Sequence, residues 1–150
     1  MLVQKIISGG QTGVDRAALD VALELGIPCG GWCPRGRLAE DGKISERYPL
    51  QETATADPGT RTELNVIQSD GTLVLTWGKP TGGTLLTLVC ARHHRKPMME
   101  VDLGDPMDLH PIRGWITSQA LQTLNIGGPR ESYDPGFIYD RAKKLLLPLF

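Results

Sequence analysis

Short apolar runs alternate along the chain with segments whose apolar positions recur every three or four residues. Leu2 to Ser8 is a run of strand length ending in Gly9-Gly10-Gln11-Thr12-Gly13, after which Val14, Ala17, Ala18, Val21, Ala22 and Leu25 keep helical spacing until Gly26 stops them. Pro28 to Trp32 reads as a short second strand. Residues 33–57 form a long polar stretch with no clear period, a length at which a connection usually carries function. Asp57-Pro58 opens a second helix, with Thr60 and Glu63 spaced as a capping box and Leu64 and Ile67 on one side. Gly71 to Trp77 is a third strand. It runs into Gly78-Lys79-Pro80-Thr81-Gly82-Gly83-Thr84 and a helix through Arg92 with Leu85, Leu88 and Val89 at helical spacing. Met98 to Asp102 makes a fourth strand, and Ile112, Trp115, Ile116 and Ala120 mark a helix. Leu124 to Gly127 is a fifth strand ending in Gly127-Gly128-Pro129, and Asp134-Pro135 caps a last helix to about Leu147.

Strands alternating with helices require crossovers, and right-handed crossovers place helices on both faces of a mainly parallel sheet. The expected fold class is α/β: a Rossmann-like three-layer αβα sandwich with a mainly parallel sheet of about five strands. With 150 residues and no linker, repeat or low-complexity tract, positions 1–150 form one ligand-binding domain. Ligands of such sheets bind beyond the carboxyl ends of the strands, where all three glycine turns fall.

Composition narrows the partners. Lys and Arg number 16 and Asp and Glu 17, a net charge of -1, so bulk charge supports neither nucleic-acid binding nor an acidic tail, and any anion site is local. Three cysteines leave an odd thiol under any pairing and no secretory leader opens the chain, which points to a reduced cytoplasmic protein. No apolar run approaches the roughly 18 residues of a membrane span. The 18 glycines imply many turns, and backbone that can come close to a ligand.

Gly9, Gly10 and Gly13 fit neither the dinucleotide nor the Walker A spacing. What remains is the physics beneath those motifs: glycines admit an anion to the backbone, and free amides at a helix start carry partial positive charge. One reading puts a phosphate on Gly9, Gly10, Gln11, Thr12 and Gly13. The other is a tight strand-to-helix turn in which Thr12 and Asp15 form a capping box. Gly82-Gly83-Thr84 repeats the arrangement at another strand end and favours ligand binding. Arg16, Arg35, Arg37, Lys43, Arg61 and Arg130 lie near these loops, each either an anion clamp or a solvated surface side chain. Arg130 stands out within Gly128-Pro129-Arg130-Glu131-Ser132, directly past a strand end. Glu40, Asp41, Glu63 and Asp70 either accept hydrogen bonds from a heterocycle or pair with those arginines. Cys29 and Cys33, with three residues between them, lack zinc or redox spacing and read as structural thiols, so no tightly bound structural metal is expected. His93 and His94 suit a helix C-terminus.

Four blocks carry a resemblance: Ser8 to Asp20, Gly31 to Gly42, Arg61 to Val66 with Ser69 to Thr72, and Asn125 to Ser132. In this order they resemble the molybdenum-cofactor carrier family over nearly the whole chain. The resemblance implies a Rossmann-like fold related to the lysine-decarboxylase-like, or LOG, proteins. It also implies carriage of the molybdopterin form of molybdenum cofactor without turnover, oligomeric assembly, and molybdoenzymes or cofactor-biosynthesis proteins as partners. Read this way, Arg16, Arg35 and Arg130 neutralise phosphate or oxo-anion charge on a small anionic ligand, and Glu40, Asp41 or Asp70 accepts from the pterin amino edge. The remaining candidates around the cofactor are Asp15, Arg37, Arg61, Glu131 and Ser132 with the two glycine loops.

One departure separates this chain from the LOG-type phosphoribohydrolases, whose Pro-Gly-Gly-x-Gly-Thr-x-x-Glu motif ends in an acid. Here Thr87 stands three residues after Thr84, in the acid's place, which argues against hydrolysis. The alternatives are a nucleotide-processing hydrolase and a nucleotide-binding sensor. Leu145-Leu146-Leu147-Pro148-Leu149-Phe150 is more apolar than one helix face needs, which predicts a homo-oligomer meeting through the chain end unless that end folds back onto its own body.

Overall fold

Five strands, each neighbouring pair parallel, form the central sheet of the computed structural model, which describes residues 3–150. Leu2 of the first expected strand lies outside the described residues. The chain runs β1 (Lys5–Ile7), α1 (Val14–Leu25), β2 (Cys29–Gly30), β3 (Trp32–Cys33), β4 (Leu38–Ala39), β5 (Gly42–Lys43), β6 (Gln51–Glu52) and α2 (Pro58–Ile67). It continues through β7 (Gly71–Thr76), α3 (Gly82–His93), β8 (Met98–Asp102), α4 (His110–Ser118), β9 (Thr123–Gly127) and α5 (Ile138–Leu149). The strand order is β2-β1-β9-β7-β8.

Strand alternation sorts side chains between the faces. Ile6, Leu73, Leu75, Leu124 and Ile126 join α1, α4 and α5 in the main core, whereas Val66, Cys90 and Ala91 form a smaller one between α2 and α3. The layers are therefore α1, α4 and α5, then the sheet, then α2 and α3. Gly26 ends α1 at φ 70, its amide returning to the carbonyls of Ala22 and Leu23. Asp57 caps α2 by accepting from the Gly59 amide at 3.0 Å. The capping box read from Thr60 and Glu63 does not form: the Thr60 hydroxyl faces that of Thr55 at 3.2 Å, and Glu63 pairs with His94 at 3.3 Å.

Several expected boundaries move. The second strand divides at Gly31 (φ 123), where a Cβ would lie 2.5 Å from the Ser8 carbonyl oxygen. β2 stays in the sheet and β3 leaves it to pair with β6. Residues 33–57 are folded, with β4 and β5 antiparallel and Cys33, Ile44, Tyr48 and Leu50 packed on Leu19. On α3, Leu85 and Val89 are exposed, and the inward positions are Thr84, Thr87, Leu88, Cys90 and Ala91. Asp134 accepts from the Trp77 indole at 2.7 Å instead of capping the last helix, which starts at Ile138.

The chain end folds back. Ile138, Ala142, Leu145, Leu146 and Leu149 make one buried stripe on α5 against α1, leaving Leu147 and Phe150 half-buried. Most of the apolar surface at the chain end is thus covered within the molecule, which is the fold-back alternative. No helix among the described residues is long and apolar enough to cross a membrane.

Candidate functional site

From β1 the chain crosses to β2 on one side, and from β7 to β8 on the other, with β9 between them. Strand order reverses there, and the loops after β1, β7 and β9 open a crevice of about 330 Å³ at their carboxyl ends. Of the residues expected at a site, Gly9, Gln11, Asp15, Arg61, Gly82, Gly83, Thr84, Arg130 and Ser132 line it.

The loop after β7 is the open one. Gly82 adopts φ 51, Thr81 caps α3 without a side-chain hydrogen bond, and the first turn carries no acid. The amides of Gly82, Gly83 and Thr84 occupy a first turn, where helix geometry supplies no acceptor. A Cβ on Gly82 or Gly83 would meet nothing within 4 Å. With the exposed Lys79 and Arg130 beside them on the wall, these amides form a positively polarised cradle at the start of a 12-residue helix.

An ion pair lies at the base of the crevice. Arg61 Nη1 donates to Asp15 Oδ2 at 3.1 Å, and the Gln11 amide donates to the same oxygen at 3.3 Å. The side chains of Arg61 and Asp15 are only 11% and 9% exposed. Burial pushes the Asp15 carboxyl above its ordinary range, although Arg61 and the Gln11 amide pull it the other way. Gly9 is glycine because Arg61 occupies the place of its Cβ, with Nη1 1.7 Å away. Thr87, the substitute for the LOG-type acid, donates from Oγ1 to the Gly83 carbonyl at 2.9 Å. A Cβ on Gly127 would lie 3.8 Å from Thr87 Oγ1 and 4.0 Å from Asp15 Oδ1, so a carboxyl from α1 reaches the neighbourhood that α3 leaves without one.

The first glycine loop is less open. Part of its backbone serves the chain itself: the Gln11 amide bonds to Asp15, that of Thr12 to its neighbour Gln11 Oε1 at 3.1 Å, and that of Val14, just past the loop, to the Pro129 carbonyl at 3.2 Å. Gly10 (φ 80) makes room for Leu50 and Ile44, 2.6 and 3.0 Å from a Cβ there, and Gly13 (φ 77) for the Pro129 carbonyl at 2.4 Å. The alternative Thr12–Asp15 capping box is absent, since Gly13 is the N-cap and makes no side-chain cap.

Thr12, Gly13, Arg16, Glu40, Asp41 and Glu131 instead line a second depression, together with Ser132, Tyr48 and Tyr139. There the charges are paired. Arg16 donates to Asp41 at 2.9 Å and to the Gly10 carbonyl, and this bond holds the Asp41 carboxyl below its usual range. Glu40 accepts from the hydroxyls of Thr12 and Ser132 and from the Ser132 amide; partial burial works against its charge, but these bonds outweigh it and lower its pKa. Glu131 accepts from the amides of Gly136 and Tyr139, both at 2.8 Å, and so orders the start of α5.

Five candidates lie elsewhere, two of them, Lys43 and Glu63, paired with Glu46 at 3.4 Å and with His94. Arg37 is buried, lines neither hollow and donates to the carbonyls of Ile44, Ser45, Tyr48 and Leu50 at 2.8–3.2 Å, a scaffold for residues 44–50. Arg35 is exposed and lines neither hollow. Asp70 accepts from the Gln122 and Thr123 amides at 3.0 and 2.8 Å, at the amino end of the sheet, opposite the crevice. Lining residues that carry no individual signal in the sequence are Thr62, Asn65, Thr76, Trp77, Asn125 and Tyr133, and Lys79 and Thr81 stand out only as part of their glycine loop. Among the described residues no group of three or more His, Cys, Asp or Glu is placed to hold a metal ion.

A model of the circularly permutated YpsA SLOG family matches residues 6–150. A crystal structure from Syntrophus aciditrophicus SB, named "Putative molybdenum carrier protein", is 46% identical; the match covers 99% of this chain and 96% of that one, with a TM-score of 0.93. No curated protein matches.

Proposed function

The chain belongs to the circularly permutated YpsA SLOG family, and from that premise we propose that its crevice binds a phosphate-bearing heterocycle, the molybdopterin form of molybdenum cofactor, and carries it unchanged. The cradle at the start of α3 carries this reading: three first-turn amides with no acceptor of their own face a cavity lined by Lys79 and Arg130. An anion there replaces bulk water as the partner of the amides and meets the positive end of the helix dipole. The volume, about 330 Å³, falls within the range of small-ligand sites. At the base, Asp15 offers carboxylate oxygens and Asn125 an amide oxygen, acceptors suited to a pterin amino edge. The name of the Syntrophus protein supports the choice of cargo.

Gly83→Val tests the cradle. Gly83 has no positive φ and no neighbour within 4 Å of its Cβ position, so the variant should fold as the wild type does, by circular dichroism. Its affinity for molybdopterin, followed by pterin fluorescence, should fall tenfold or more. Unchanged affinity in the folded variant would remove α3 from the site.

A second reading, hydrolysis of a nucleoside monophosphate, is favoured by one observation: the buried Asp15 carboxyl, pushed up by burial, lines the crevice near Thr87. Incubation with AMP separates the two. Carriage predicts no free adenine above background, whereas adenine release abolished by Asp15→Asn would replace carriage with catalysis.

A further inference from the structure

Two aromatic rings border the crevice, and they differ in what they touch. Trp77 is engaged on several sides: its indole N–H donates to Asp134 at 2.7 Å, the Arg141 guanidinium lies 5.3 Å from its ring, and Phe137 stacks with it at 6.5 Å between centroids. Tyr133 also lines the crevice, is 46% exposed, and has no aromatic or cationic partner for its ring among the described residues.

The backbone beneath Tyr133 is tied down at each step. It closes the 3-10 turn Glu131–Tyr133, whose amides bond in sequence to Thr12 Oγ1, Glu40 and the Arg130 carbonyl, each at 3.1 Å. The Glu131 carboxylate fixes the far side of the turn through Gly136 and Tyr139. The Tyr133 hydroxyl reaches the Lys79 carbonyl at 3.4 Å, on the loop that leads into the cradle of α3. A rigid turn thus presents a bare ring face beside the anion site.

Resting on the reading of the crevice as a site for a phosphate-bearing heterocycle, we propose that Tyr133 is a stacking shelf for the planar ring of that ligand. The phosphate end is held on Gly82–Thr84, and the ring end lies against the phenol face. Stacking on an aromatic side chain tolerates many heterocycles, because each presents a π face, whereas hydrogen-bond readout demands one edge pattern. The turn pre-organises the shelf, so little freedom is lost when the ring docks.

The test compares AMP with ribose 5-phosphate, which shares the phosphate end and lacks the planar ring. Titration calorimetry on the wild type should show AMP binding tighter by about tenfold or more, the scale of one base–aromatic stack. Tyr133→Ala should bring AMP to within about twofold of ribose 5-phosphate and leave ribose 5-phosphate unchanged; Tyr133→Phe should keep the difference. Equal binding of the two probes to the wild type, or an equal loss of both in Tyr133→Ala, overturns the shelf and leaves the cradle standing. Binding of neither probe at millimolar concentration overturns both the shelf and the cradle.

Discussion

Gly13→Val is expected to cost about 2–6 kcal/mol of stability, combining strain of roughly 1–3 kcal/mol for a side chain forced to positive φ with roughly 1–3 kcal/mol for overpacking. Gly13 has φ 77, a conformation a β-branched residue scarcely visits, and its Cβ would lie 2.4 Å from the Pro129 carbonyl oxygen and 2.8 Å from the Arg130 carbonyl carbon. Both obstacles are backbone, so no rotamer change relieves them. The loop after β9 would have to withdraw, breaking the Val14 amide bond to Pro129 that closes the start of α1. For a domain of this size the melting temperature should fall by about 10 °C. Gly78 separates the two causes: it has φ 74 but nothing within 4 Å of a Cβ, so Gly78→Val should show the strain alone. Equal melting temperatures for the Gly13 and Gly78 variants would contradict the close approach of the two loops.

Removing one member of the buried ion pair is the second large effect. Arg61→Met should cost about 3–5 kcal/mol, because it strands the Asp15 carboxylate where water cannot solvate it. The cost should depend on pH, and its sign follows from linkage. Asp15 is already raised in the folded state, so its favourable contribution is present below the unfolded pKa and is lost as pH rises through the folded one. Without Arg61 the folded value rises further, and the variant should lose stability between pH 5 and pH 8 more steeply than the wild type. Urea unfolding at the two pH values measures this. Asp15→Asn in the Arg61→Met background should remove the extra slope and recover part of the stability. A cost that is the same at both pH values would mean that the two side chains are not coupled.

Much of the architecture was legible because local chemistry and tertiary structure agree. The glycine turns after β1, β7 and β9 mark strand ends, and Asp57-Pro58 starts α2 where a capping acid before a proline should. The crevice could be placed at those ends before its walls were known. The role of each glycine could not be read, because spacing does not say whether the missing side chain makes way for a ligand or for the chain itself. Gly9, Gly10 and Gly13 make way for Arg61, for Leu50 and Ile44, and for Pro129, residues 34 or more positions distant. Among the described residues, only Gly82 and Gly83 are glycines that line the crevice with open space at the Cβ position.

Arginines posed the same difficulty. Arg37 resembles an anion clamp in sequence, yet its guanidinium is consumed by four carbonyls of its own loop, and Arg16 by Asp41 and Gly10. Two placements follow from the chain order and spacing alone. Asp70 precedes β7, and in a parallel sheet the start of a strand lies at the end opposite the crevice. The spacing 138, 142, 145, 146, 149 is a single helical stripe, so the leucines of the chain end needed only α1 to cover them.

Native mass spectrometry of the protein purified from a molybdopterin-competent host tests the central claim most directly. The account predicts a retained species with the mass of molybdopterin, with or without its metal, absent when Gly83→Val is purified in the same way. A protein that comes through bare, or that holds a species without phosphate, would contradict it.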